Sequence, residues 1–246
     1  MYQMPSVVQV NQDISPNDDM NVGDASKWYF DAGKKALDNI VKSLNNPYSD
    51  GHQVEQILDL PSGYGRVLRW LEVYFPLSKI TACDTNADAV EFSSQHFRAM
   101  GVISDYDIEK IKLPVSNYDL IWFGSLFTHF DMTRFSKLLT LFLDNLNEKG
   151  VLVFTSHGRL AAYLMQHQNS FFGLGDWVSS RVLAEYTASG FGYANYDDKY
   201  PVYGVSISSP AWVMKQIERN CDLNVRVCHM VEGGWGHQDI YGLVKL

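Results

Sequence analysis

Short apolar runs alternate with longer amphipathic stretches along the first two thirds of the chain. Residues 26–44 place Tyr29, Phe30, Gly33, Leu37, Ile40, Val41 and Leu44 at helical spacings on one face, with Ser26 as a candidate N-cap and Asn45-Asn46-Pro47 as the stop. Gln56-Ile57-Leu58-Asp59-Leu60 is a short strand-like run that ends in turn residues, and helix formers follow over 66–75 until Pro76. Lys79–Asp84 reads as a second buried strand, with Thr85 or Asn86 capping a helix that runs to about residue 99. Further strands are predicted near Gly101-Val102-Ile103, over Tyr118–Phe123 and over Val151–Phe154. Between the last two, Phe135, Leu138, Leu139, Phe142, Leu143 and Leu146 form one helical stripe, with Asp131 as its cap and Gly150 as its stop.

Strands that alternate with helices predict an α/β chain with a mostly parallel sheet covered on both faces. Residues 1–23 are polar and read as an extended arm. Residues 158–204 are rich in Tyr, Phe, Gly and Ser and weakly periodic; so long a connection reads as a lid or binding region. Val202–Ser208 then reads as a strand, residues 210–220 as a helix opened by Pro210, and Val225–Val231 with Asp239–Leu246 as an antiparallel pair. No linker, repeat or low-complexity tract divides the chain, so residues 1–246 are expected to form one domain.

The acidic balance narrows the partners. Asp and Glu number 28 against 20 Lys and Arg, a formal charge of −8, and no basic run stands out. Nucleic acid and anionic membrane are therefore poor partners, and a small-molecule ligand is the better expectation. Cys83, Cys221 and Cys228 show no Cys-x-x-Cys spacing and read as reduced thiols; with no signal-like N-terminus or spanning segment, the expected compartment is the cytoplasm. Oligomeric state is not legible.

The strongest local signal is Asp59-Leu60-Pro61-Ser62-Gly63-Tyr64-Gly65-Arg66, a strand that enters a glycine turn and then a helix. Glycines let the backbone approach a ligand, and a helix start offers free N–H groups. Asp84 at the end of the next strand is placed to accept hydrogen bonds from both hydroxyls of a ribose. Turn and acid together are a nucleoside-binding pattern. A nicotinamide dinucleotide and S-adenosylmethionine both satisfy it. Leu68 stands where the dinucleotide pattern wants a third small residue, whereas Asp59 and Asp84 suit an amino group and a ribose.

With these residues the chain resembles the class I S-adenosylmethionine-dependent methyltransferases, well over residues 50–157 and by strand order thereafter. The resemblance implies a three-layer Rossmann-like sandwich around a seven-stranded, mostly parallel sheet with an antiparallel C-terminal strand, and an N-terminal cap over residues 1–50. It implies S-adenosylmethionine as cofactor, held by Asp59, Pro61 (where the family usually has its first glycine), Gly63, Tyr64, Gly65, Asp84 and Thr85. By position it adds Ser104, Asp105 and Tyr106 at the adenine, and Gly124, Ser125 and Leu126 beyond the fourth strand at the methionine end. The variable 158–204 region would set the acceptor.

Methyl transfer from a sulfonium needs alignment and, for a hydroxyl acceptor, a base. His129 and His157 follow the fourth and fifth strands and are the candidate bases; each is alternatively a packed scaffold histidine. Tyr29, Arg159, Trp235 and His237 are candidate acceptor contacts, against core packing for the aromatic residues and a surface ion pair for Arg159. His237 and Asp239 share a face if their backbone is extended. No metal site is expected, because no ligand spacing suggests one. The expected function is methyl transfer to a small molecule, at an oxygen of a sugar or secondary metabolite. The alternatives are a nicotinamide-dependent oxidoreductase and a non-catalytic cofactor-binding module.

Overall fold

The computed structural model describes residues 2–3, 9–21, 26–168, 172–196 and 202–246. The long amphipathic helix is α1 (Ser26–Leu44); the Ser26 side chain expected to cap it is outside what is described, as is part of the 1–23 arm. The α/β alternation follows as β1 (Gln56–Asp59), α2 (Leu68–Tyr74), β2 (Lys79–Asp84), α3 (Ala87–His96), β3 (Ala99–Ile103), β4 (Tyr118–Phe123), α4 (Met132–Asp144) and β5 (Leu146–His157). Asn86 caps α3 by accepting from the Asp88 and Ala89 amides, and Asp131 caps α4 by accepting from Arg134.

Two predictions needed correction. Leu146 does not extend α4, and Gly150 does not stop it. The helix ends at Asp144, Leu146 opens β5 opposite Tyr118, and Gly150 lies inside that strand, next to Lys149 at φ 62°. The 158–204 region also has regular structure. It contains α5 (Arg159–His167), α6 (Asp176–Ser189) and β6 (Phe191–Asn195), and β6 pairs antiparallel with β7 (Gly204–Ser208) as a separate two-stranded sheet. The chain closes with α7 (Pro210–Asn220), β8 (Val225–Trp235) and β9 (Gln238–Lys245).

The main sheet has the order β3-β2-β1-β4-β5-β9-β8. The strands from β3 to β5 pair in parallel, and β9 runs antiparallel to both β5 and β8. Its two faces bury different residues because strand side chains alternate. Ile57, Ile80, Leu120, Trp122, Val153 and Ile240 meet α1 and α2; Leu58, Ile121, Phe123, Leu152, Phe154 and Tyr241 meet α4 and α7. This is the seven-stranded Rossmann-like sandwich. Strand order reverses between β1 and β4, so the crevice lies at their carboxyl ends, where open α/β sheets bind ligands.

Candidate active site

The glycine turn leaves β1 at that crevice. Gly63 has φ 49° and Gly65 has φ 84°, both in the left-handed region that favours glycine. A Cβ at Gly65 would meet the Phe97 ring at 2.2 Å, whereas one at Gly63 would meet no atom within 4 Å. The first glycine thus faces open space, and the second is wedged against α3's end. Asp84 holds the turn: its carboxylate accepts from the Gly63 amide at 2.8 Å and from the Asn86 amide at 2.9 Å. Burial raises the Asp84 pKa, and the amides of Asn86, Gly63 and Thr85 oppose the rise. Tyr64 is buried behind the turn, edge-on to Phe92 at 5.9 Å. Thr85 is half-buried beside Asp84, and Pro61 lies two residues beyond the end of β1.

Asp59 ends β1 fully buried, and neither of its carboxylate oxygens has a hydrogen-bond partner among the described residues. Burial holds it well above the usual carboxylate range; the Asp84 charge adds to the rise and Arg66 opposes it. An orphaned buried carboxylate beside open backbone is a cradle for a cationic, nucleoside-bearing ligand.

Across the strand-order switch, β4 runs into Gly124, Ser125 and Leu126. Ser125 adopts φ 62°, a conformation that is uncommon outside glycine and concentrates at functional sites. Its amide donates to Thr155 Oγ1 at 2.7 Å, and its hydroxyl accepts from Gln238 Nε2 at 2.9 Å. Thr155 in turn donates to Gln238 Oε1 at 2.5 Å. This three-residue tie fixes the loop beyond β4. The sequence reading did not single out Thr155 or Gln238, although Gln238 stands between two residues that it did.

The two candidate bases converge on one strand. His129 Nδ1 donates to the Gly204 carbonyl at 2.8 Å, and His157 Nδ1 donates to the Ser206 carbonyl at 3.1 Å. A carbonyl only accepts, so each ring carries its proton on Nδ1 and keeps Nε2 as the basic nitrogen. His129 also stacks on Tyr203 at 4.6 Å, with the Tyr196 hydroxyl 3.2 Å from the same Nδ1. Burial lowers the pKa of His129, against the pull of the Gly204 carbonyl. Burial lowers that of His157 further, helped by His237 and His129. The His157 and His237 rings lie 5.1 Å apart. Among the described residues, no group of three or more His, Cys, Asp or Glu could hold a metal ion.

The remaining candidates lie at varying removes. Ser104 sits at the end of β3 with its amide bonded to the Asp84 carbonyl, and Asp105 and Tyr106 are exposed beyond it. His237 occupies the turn before β9 rather than extended backbone, so it does not share a strand face with Asp239, whose carboxylate accepts from the Gly233 amide. Tyr29 is completely enclosed; its hydroxyl donates to Asp18 at 2.7 Å and accepts from Arg69 at 3.4 Å, which makes it a brace for the N-terminal arm. Trp235 is buried edge-on to Trp122 at 5.4 Å, and its indole nitrogen donates to the Ala32 carbonyl. Arg159 is exposed and bidentate on Glu232 at 2.6–3.0 Å, at the rim of a groove of about 880 Å³ between α5 and α6. Trp177 and Tyr196 are exposed. Arg66, which the sequence reading passed over, is half-buried beside the glycine turn.

Comparison with known proteins fits this arrangement. Residues 57–150, from β1 into β5, match the family model described as a methyltransferase domain. No curated protein sequence matches the chain. Among solved structures, an S-adenosylmethionine-dependent methyltransferase from Leishmania major superposes with a TM-score of 0.56 at 14% identity, covering 89% of this chain and 76% of that one. Mitomycin 7-O-methyltransferase gives 0.57 at 14% identity, over 90% of this chain and 55% of that one. Human N-acetylserotonin methyltransferase, solved with S-adenosylmethionine, gives 0.52 at 14%, over 87% and 51%. The fold, the matched segment and the glycine turn define an S-adenosylmethionine-dependent methyltransferase. Residues 57–150 form a methyltransferase domain, the fold around it is the class I, Rossmann-like one, and the cofactor is S-adenosylmethionine. The nicotinamide alternative is thereby set aside. No helix among the described residues is long and apolar enough to cross a membrane.

Proposed function

We propose that this methyltransferase acts on an oxygen of a small polar acceptor, a sugar or a secondary metabolite, in the cytoplasm. Residues 1–246 would work as one domain, with 1–50 as the cap and 158–204 facing the acceptor. The observation that carries this reading is the pair of imidazoles whose Nδ1 protons are tied to β7 carbonyls at the carboxyl end of the sheet. Each such ring keeps an unprotonated Nε2, the form that accepts a proton from a hydroxyl. Burial lowers both pKa values, so each ring stands neutral and able to accept a proton before the acceptor arrives, and a proton taken up is readily passed on to water. The 7-O specificity in the mitomycin enzyme's name agrees with an oxygen acceptor. The three free cysteines suit a reducing compartment.

Asp59, Gly63, Gly65 and Asp84 would hold the cofactor, and the Ser125 loop would border its methionine end. When bound, S-adenosylmethionine supplies a methyl group already activated on a sulfonium. The chain's task is then to align the acceptor, exclude water and take one proton. We assign that proton to Nε2 of His129, with His157 as the second base candidate. His129→Ala is expected to lower kcat by about 10²–10⁴ in a radiolabel-transfer assay against sugars and phenols, with cofactor affinity unchanged. Turnover equal to wild type in the His129→Ala, His157→Ala double variant would remove base catalysis from this account.

A further inference from the structure

Gln238 is not bonded to either imidazole, yet it touches the supports of both. Its backbone stands opposite His157 where β5 pairs with β9. Its side chain reaches over β5 to Ser125, from which the short helical turn Phe127–His129 departs. That turn moves as a unit. Thr128 Oγ1 donates to the Ser125 carbonyl at 2.8 Å, and the His129 amide donates to the Leu126 carbonyl at 3.0 Å. Wherever Ser125 is held, His129 is carried with it. The hairpin grips the same turn from the other side: Ser206 Oγ donates to the Phe127 carbonyl at 2.7 Å, while the Ser206 carbonyl holds His157.

The bonds around Gln238 close into a cycle with one possible direction. The Ser125 amide donates to Thr155 Oγ1, Thr155 Oγ1 donates to Gln238 Oε1, and Gln238 Nε2 donates to Ser125 Oγ. An amide nitrogen only donates and a carboxamide oxygen only accepts, so Thr155 has to pass the bond onward and Ser125 Oγ has to accept. Thr155 and Gln238 are both buried, where water does not replace a lost partner. Ser125 stands at φ 62°, a conformation that a non-glycine residue keeps only when its surroundings over-determine it. The cycle supplies that determination from two strands at once.

We propose that Gln238 is a positioning residue for His129: by locking Ser125 in its left-handed conformation it fixes the turn that presents this imidazole to the acceptor. Its place opposite His157 keeps the two imidazoles in one frame. The role rests on the reading above in which His129 takes the acceptor's proton. It concerns how the base is presented and not how the cofactor is held.

Gln238→Met keeps an unbranched side chain and removes both of its bonds. In the radiolabel-transfer assay it should lower kcat by about 10- to 100-fold, the usual consequence of moving a reacting group by about 1 Å. Affinity for S-adenosylhomocysteine, measured by calorimetry, should fall much less. Nitrogen-15 NMR of histidine-labelled protein gives a reading that needs no acceptor. The His129 ring should lose its Nδ1–H tautomer, while His157 should keep it, because the His157 bond to Ser206 does not pass through the cycle. Gln238→Glu, which in its protonated form repeats the donor and acceptor pattern of the amide, should restore both readings. Thr155→Val opens the cycle from β5 and stands in if the methionine variant does not fold. An unchanged His129 tautomer overturns the positioning role. So do equal losses of turnover and affinity, or a change in both imidazoles together, since either marks a general loosening. A His129 tautomer that is lost while turnover stays at the wild-type value upholds the positioning and removes His129 as the base.

Discussion

The two ends of the crevice are built by different means. At the glycine turn, the parts are neighbours in sequence or on adjacent strands, and the backbone itself is the main instrument: two left-handed glycines, the amide of Gly63 and the carboxylate of Asp84. At the histidine end, one imidazole comes from a short helical turn beyond β4 and the other from the last residue of β5, and each is oriented by a carbonyl 75 or 49 positions away, on a hairpin outside the main sheet. The first design tolerates little change in the chain's path. The second tolerates much change in surrounding sequence, provided β7 stays where it is. On the proposed function, the cofactor would be held by local geometry and the acceptor by long-range packing.

The comparison can be broken from either end. The largest effect is expected at the turn. Gly65→Ala sets a Cβ into the Phe97 ring and holds a non-glycine residue at positive φ, at a cost of about 2–4 kcal/mol. A thermal melt should show a drop of roughly 5–15 °C; an unchanged melting temperature would mean that the turn is not wedged as described.

The next effect is at the histidines and depends on pH. His157 is buried neutral, with its pKa well below 6.5, whereas the unfolded chain takes up a proton as pH falls through 6.5. The unfolded state therefore gains protons that the folded state refuses, and stability declines on acidification below that value. His157→Asn should flatten this decline between pH 7.5 and 5.5 in urea titrations. Asp239, raised to about 6 by burial, acts in the opposite sense, losing stability as pH rises from 3.8 to 6, but it is common to both proteins and leaves the difference unaffected. An identical pH slope in the variant would contradict a neutral buried ring.

The smallest effect is expected at Arg159→Ala. The ion pair with Glu232 is exposed, and such pairs contribute little. Melting temperature and cofactor affinity should both stay at the wild-type value. A fall in turnover alone would restore Arg159 to the acceptor site.

What was legible in the sequence follows the same division. The span of α7 was readable because Ser209 caps it through the Trp212 amide and Pro210 fills its first turn. Asp131, Asn86 and the turn from Asp59 to Gly65 carried equally local signatures. Leu146 misled because its apolar side chain suits both the helical stripe and the strand it opens. The helix α6 was hidden because Val182 is its one buried residue among those described, which leaves no stripe to count. Tyr29 read as a ligand contact because nothing local shows that Asp18 and Arg69 already engage its hydroxyl. Arg66 gave no signal of its own, since its setting depends on indoles near opposite ends of the chain. Gln238 and Thr155 acquire meaning only once β5 and β9 lie side by side.

Because Gly204 and Ser206 are alternate residues on a single extended strand, the carbonyls that grip the two imidazoles are separated by one strand repeat, about 6.6–6.8 Å. The hairpin is in this sense a ruler. It sets the interval between the two imidazoles through their Nδ1 atoms. A slip of β7 by one residue would turn both carbonyls away and release the rings together, so an insertion in this outlying ribbon would erase both tautomers at once.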